Sequence, residues 1–204
     1  MKNKILIILA VTALTFASSC GKNKKPAEVT NNNLSNLPSW VLDPNMPDGV
    51  AAVGIASPSK GGIKFQIPAA ELDAKANIAA TIQSEISRVT KDSLRSANVN
   101  NSDDVEQFFA QASKEVVKNL PLSGVKRINI FQANDGTLYV HMILKNEDYS
   151  KFLNDSEKSL NSQLKKSALG RENIKKSEEA SKAIFDELEK ERGNKSVADK
   201  TKSE

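Results

Sequence analysis

Few side chains in this sequence are placed for chemistry. Cys20 is the single cysteine, so no disulfide can close within the chain and no cysteine cluster can hold a metal. What it offers is one thiol at one position, a nucleophile that can be acylated or alkylated. His141 is the single histidine. No serine–acid arrangement of recognisable spacing accompanies it, and one imidazole does not make the usual metal cluster. On the strand around it, its side chain points opposite Leu138, Val140 and Met142, which predicts an exposed or edge position. The stretch GIASPSKGG has the flavour of a phosphate loop, but Ser59 and Gly61 stand on either side of Lys60 where that motif needs Gly before and Ser or Thr after. A surface loop is the expectation. Glu71, Asp73 and Glu85 share one helix, at spacings that give no reason for paired acid–base work. Asp103 and Asp104 are suited to a helix N-terminus. Trp40, the one tryptophan, reads as a core plug rather than a ligand stacker.

The setting of Cys20 is more specific than the thiol itself. Lys2 and Lys4 open the chain, and the apolar run ILIILAVTALTF covers residues 5–16. That run is too short for an ordinary membrane span and suits a signal-peptide core. Ala17, Ser18 and Ser19 then lead into Cys20, which resembles a bacterial lipobox, with Ala17 standing where Leu is commoner. The alternative is a plain secretory signal with an incidental cysteine. The lipobox implies cleavage before Cys20, a diacylglycerol thioether on its sulfur and an acyl chain such as palmitate on its new amine. Several acyl chains give lasting attachment where one is marginal. Gly21 follows in place of the Asp associated with inner-membrane retention, so the outer membrane is expected.

These residues need positioning elements, and 204 residues allow one modest domain with extensions. Aromatics at 5% and charged residues at 26% suit a small core with polar flanks. The formal charge is +4, and without Lys2 and Lys4 it falls to about +2, too weak to point to nucleic acid. Residues 20–37 are rich in Lys, Asn and Ser and read as a flexible tether. A strand is expected over 50–57, where Gly54 suggests close approach of another backbone. Pro68 is read as opening a helix at its first turn, with Leu72, Ala76, Ala79, Ile86 and Val89 at helical spacing. A second helix, capped by Ser102 or Asp103, carries Val105, Phe108, Phe109, Ala112, Val116 and Leu120 on one face and stops at Pro121. VKRINIFQ and TLYVHMILK flank Asp135-Gly136, a strong hairpin signal. Strand, two helices and a hairpin predict an α+β fold, a small antiparallel sheet covered on one face by helices, with a long C-terminal helical extension.

The order LPSW, VAAVGIAS and AAELDAKANIAATIQSEIS resembles the twenty-kilodalton Lpp lipoprotein family of Helicobacter and Campylobacter relatives. Pro38 and Trp40, Gly54, and Ala70, Ala74, Ala76 and Ala80 occupy the places of that family's shared features over roughly residues 38–150. The resemblance implies outer-membrane attachment and a helix-on-sheet domain, and its circle includes a flagellum-associated lipoprotein. It carries no catalytic residues to transfer.

Beyond Lys145 the chain favours helix almost throughout. Leu153, Leu160, Ile174 and Leu188 recur at multiples of seven, but Ser167 and Ser181 interrupt the series, so no sustained coiled-coil seam exists. Glu147–Lys151, Glu172–Lys176, Glu178–Lys182 and Asp186–Lys190 support a solvated helix. Gly170 is a candidate break. The expected organisation is a signal peptide over 1–19, a tether over 20–37, a domain over 38–164, a charged helical extension over 165–193 and a disordered tail over 194–204. Residues after about Gly170 are expected to be dispensable for folding, with Ile174, Ile184, Phe185 and Leu188 as a partner-contact stripe. The functional expectation is a non-enzymatic lipoprotein without cofactor or metal, anchored on the periplasmic face of the outer membrane. It would serve binding or assembly in the cell envelope, as a homo-oligomer or with an envelope or flagellar protein, with motility as one setting. The rival expectation is a periplasmic module that binds a small ligand or envelope component through the loop over 58–68.

Overall fold

The computed structural model describes residues 34–96, 103–167, 169 and 171–200. The expected signal peptide, Cys20, most of the expected tether, the candidate cap Ser102, the candidate break Gly170 and residues 201–204 lie outside the described residues. A short helix α1 (Ser39–Leu42) precedes strand β1 (Gly49–Ala56), long helix α2 (Ile63–Ser96) and helix α3 (Asp103–Lys118). Strands β2 (Lys126–Gln132) and β3 (Leu138–Lys145) follow, then helices α4 (Asn146–Lys166) and α5 (Arg171–Lys200). The three strands form an antiparallel sheet in the order β1-β3-β2. The chain is therefore α+β, with a small sheet, several helices and a long C-terminal helix. Contacts gather Asn36–Glu204 into one unit, while Met1–Ser35 falls in another.

Small residues set the sheet–helix contact. Val50, Ala52, Gly54 and Ala56 point inward from β1 and are buried. Ala70 and Ala74 of α2 are fully buried opposite them. A Cβ on Gly54 would lie 2.0 Å from the Ala70 carbonyl oxygen and 2.3 Å from the Ala74 nitrogen, so helix backbone rests directly on the strand as the glycine predicts. The inward face of α2 continues through Ile78, Ile82, Ile86 and Val89. This corrects the expected face in its first half. Leu72 is 70% exposed and Ala76 is exposed, about half a turn away from the buried ladder. Alanine buries too little area to set a helix phase, and Ile78 and Ile82 decide it.

Pro68 does not open α2. The helix begins at Ile63, after Gly62 at φ +74°, and Pro68 sits inside it. Proline there removes the bond to the Lys64 carbonyl. Both residues are on the exposed side, where water can serve that carbonyl. The Gly62 carbonyl accepts from the Phe65 and Gln66 amides at 3.1 and 3.4 Å and starts the helix. Gln66 is buried, and its Nε2 donates to the Ser57 and Gly136 carbonyls at 3.1 and 2.8 Å. One side chain thus clips the end of β1, the hairpin tip and α2 together.

The second helix and the hairpin follow expectation. Val105, Phe109 and Ala112 are buried, Phe108 and Val116 pack against them, and α3 ends at Lys118, before Pro121. The β2–β3 turn places Gly136 at φ +84°, and Asp135 Oδ1 accepts the Thr137 amide at 2.9 Å.

The C-terminal expectations need correction. Helix α5 packs on α4 and α2, and Ala180, Ile184, Phe185 and Leu188 belong to the same core as the sheet. Ser177, Ala180 and Ser181 are buried small residues that permit close helix approach. No core boundary falls at residue 164. Helix continues through Lys200, so residues 194–200 are helical rather than a disordered tail. The sparse apolar stripe suffices because α2 and α4 offer it a ready groove, and it has no need to make a seam of its own.

Candidate functional site

The titratable side chains singled out in the sequence are placed in separate structural contacts. Arg127 on β2 donates to Glu71 on α2 at 2.8 Å. Asp73 Oδ2 accepts the Ile55 amide at 2.9 Å. Glu85 pairs with Arg192 of α5 in a largely buried contact, and the Arg192 guanidinium lies 5.0 Å from the Tyr149 ring centroid. Burial pushes the Tyr149 phenol up, beyond its ordinary range. Arg88 is held further toward its charged form by a hydrogen bond and the charge of Glu191.

His141 is not at an exposed edge. It lies on the central strand and is 1% exposed. The segment before β1 folds over that face, and the Trp40 ring stacks parallel on the imidazole with centroids 5.4 Å apart. Imidazole Nε2 lies 2.8 Å from the Pro44 carbonyl, which can only accept. Nδ1 lies 3.3 Å from Asn129 Nδ2, which can only donate. The two contacts define the Nε2–H tautomer. The alternation in TLYVHMILK hid this, because it reveals one buried face and not a second cover supplied by distant residues.

Two open surfaces among the described residues differ in kind. The first is a groove of about 510 Å³ between α3, the turn at Pro121–Gly124 and α4. Phe152 and Leu160 contribute apolar lining, Glu115, Asp148 and Asp155 contribute carboxylates, and Lys151 contributes a cation. Gln163 Nε2 donates to Glu115 across it at 3.2 Å. No residue of the loop over 58–68 lines this groove. Among the described residues, no group of three or more His, Cys, Asp or Glu side chains is placed to hold a metal ion.

The second surface is the β2 side of the sheet. Helix α2 packs over β1 and β3, and β2 stands beyond that cover with nearly every residue exposed. Ile128 and Ile130 are 40% and 44% exposed. The opposite edge differs. Along β1, Asp73 accepts the Ile55 amide, and Asn77 Nδ2 donates to the Val53 carbonyl at 2.9 Å. Side chains of α2 thus occupy hydrogen-bonding groups that another strand would need. Sequence reading recognised β2 as a strand but not its place in the sheet, which strand order alone determines.

Of the expected partner-contact residues, Ile184, Phe185 and Leu188 are 4%, 5% and 2% exposed inside this chain's own core. They are corrected from a partner surface to packing residues. Ile174 is half-buried. Cys20 lies outside the described residues. No helix among the described residues is long and apolar enough to cross a membrane. No family model matches the chain, and no curated protein matches it.

Proposed function

We propose that this chain is a lipid-anchored envelope protein whose folded unit serves binding and assembly rather than catalysis. The anchor reading rests on the apolar leader and the Ala17-Ser18-Ser19-Cys20 sequence. Acyl chains on Cys20 would hold the domain at the outer membrane, on its periplasmic face, and the resemblance to small Lpp-type lipoproteins, including a flagellum-associated one, agrees with that address. The observation that carries the assembly role is the asymmetry of the sheet. One edge is occupied by Asp73 and Asn77, and the other presents Ile128 and Ile130 beside open backbone. Exposed apolar residues on an uncovered strand are a recognised docking arrangement.

The test of the anchor is Cys20→Ala, followed by metabolic acyl labelling and detergent partitioning. The parent should carry label and enter the detergent phase, and the variant should do neither. Equal labelling of both would remove the anchor from this reading. A second reading is favoured by the α3–α4 groove, whose volume falls in the range of small-ligand sites. Its carboxylates suit a cationic ligand. Titration with polyamines, followed by amide shifts around Asp148 and Asp155, would detect one, and unshifted amides at millimolar ligand would dismiss it.

A further inference from the structure

We propose that the cleft between α2 and α3 binds a single-chain amphiphile with a phosphate head, the phosphate on Lys91 and Lys114 and the chain over Leu94 and Ala110. The site goes beyond the anchor and assembly reading and does not depend on it. The cleft exists because the facing helices carry small side chains at this level. On α2, Ser87, Lys91 and Leu94 share a face at helical spacing, and on α3 Ala110, Ser113 and Lys114 do the same. Ser87, Ala110 and Ser113 are too small to fill the space between two helices, and about 450 Å³ is left open. That volume lies in the lower part of the range of small-molecule sites, which suits one chain rather than two.

The two ends of the cleft differ. At one end the Thr90 and Ser113 hydroxyl oxygens lie 3.4 Å apart, longer than an ordinary O–H···O bond, so neither hydroxyl is committed to the other. Thr90 is 7% exposed, and both hydroxyl residues also border the apolar interior at Ile86 and Phe109. Lys91 and Lys114 are the next residue along each helix. Both are exposed, and neither joins an ion pair among the described residues. Two ammonium groups and two hydroxyls supply the charge and the donors that the terminal oxygens of a phosphate monoester need. At the other end Leu94 is buried, and Ala110 and the stem of Arg95 add apolar wall. The Arg95 head reaches Asp92 at 4.0 Å. Glu106, one turn before Ala110, is the one carboxylate of this lining, and it disfavours a second anionic group while tolerating a methylene chain. Charge is sorted across α3. The groove on its other side sets Glu115, Asp148 and Asp155 against Lys151 alone, which directs an anion to the α2 side.

The experiment uses the full chain in dodecyl maltoside micelles and a dodecyl phosphate that carries a diazirine on its chain. Irradiation and peptide mapping should place the label within residues 83–95 and 106–114. Lys91→Gln with Lys114→Gln removes two charges from exposed positions and should lower labelling at subsaturating reagent by at least about tenfold. Ala110→Trp fills the chain end without changing charge and should lower it as much. A thermal melt establishes folding, and if one variant lacks a transition the other carries the test. Unlabelled dodecyl phosphate should compete, whereas inorganic phosphate and dodecanol at the same concentration should not. Equal competition by inorganic phosphate would reduce the cleft to an anion site, and equal competition by dodecanol to an apolar one, and either overturns the proposal. So does label spread along the chain without preference, or labelling that both variants leave intact. The readout does not involve Cys20. Failure here leaves the anchor standing, and unchanged acylation in Cys20→Ala leaves this site standing.

Discussion

Gly54 is the residue on which the sheet–helix contact turns. Adding one methyl there drives it into the Ala70 carbonyl and the Ala74 nitrogen, both of which are backbone and cannot rotate aside. Gly54→Ala should cost about 1–3 kcal/mol or more by overpacking, read as a lower denaturant midpoint with an unchanged slope. A midpoint equal to the parent's would contradict the contact. Asp135 acts through a different force. The Thr137 backbone N–H, which it accepts, holds its carboxyl below the usual carboxylate range. A depressed carboxyl contributes stability that is present above the unfolded pKa and is lost as pH falls through the folded one. The hairpin tip should therefore loosen as pH falls below the ordinary carboxylate range, with faster exchange of the Thr137 amide after correction for intrinsic rates. Asp135→Ala should flatten that dependence, and an identical profile in the variant would refute the assignment.

Among the elements, α2 and α5 differ most from their sequence readings. On α2 the buried ladder runs through Ala70, Ala74, Ile78 and Ile82, while Leu72 faces water. Leu72→Ala should accordingly stay within about 0.5 kcal/mol of the parent, whereas Ile82→Ala should cost about 2–5 kcal/mol. Comparable losses at the two positions would restore the opposite helix phase. Helix α5 contributes Phe185 and Leu188 to the core and Arg192 to the contact with Glu85. Phe185→Ala should cost about 3–5 kcal/mol. Truncation at Ser167 should abolish the cooperative melt, because it exposes the α2 and α4 faces that α5 covers. A truncated chain that melted at the parent's temperature would return α5 to the status of a solvated extension.

At the scale of the whole molecule, anchoring and folding are assigned to different stretches of chain. The folded unit spans Asn36–Glu204, and the proposed lipid signal lies before it. Removing residues 1–33 should leave the melting midpoint unchanged while moving the protein from the detergent phase to the aqueous phase. A lower midpoint would show that the leader or tether contributes to the fold. The sheet also has two unlike edges, one occupied by polar side chains of α2 and one open.

The α+β class, the Asp135-Gly136 hairpin, the α3 face and the close approach at Gly54 were legible in the sequence. Each is local: a turn needs its own positive φ, a helix face repeats every three to four residues, and a missing side chain announces a neighbour. The phase of α2 was harder to read, because its alanines fit either side of the helix and long-range contact with β1 chose between them. The burial of His141 under Trp40, the incorporation of α5 into the core and the open edge of β2 all depended on residues far apart in sequence. Periodicity states which side of an element is apolar. Only the tertiary structure decides what covers it, because that cover comes from whichever distant segment fits the space.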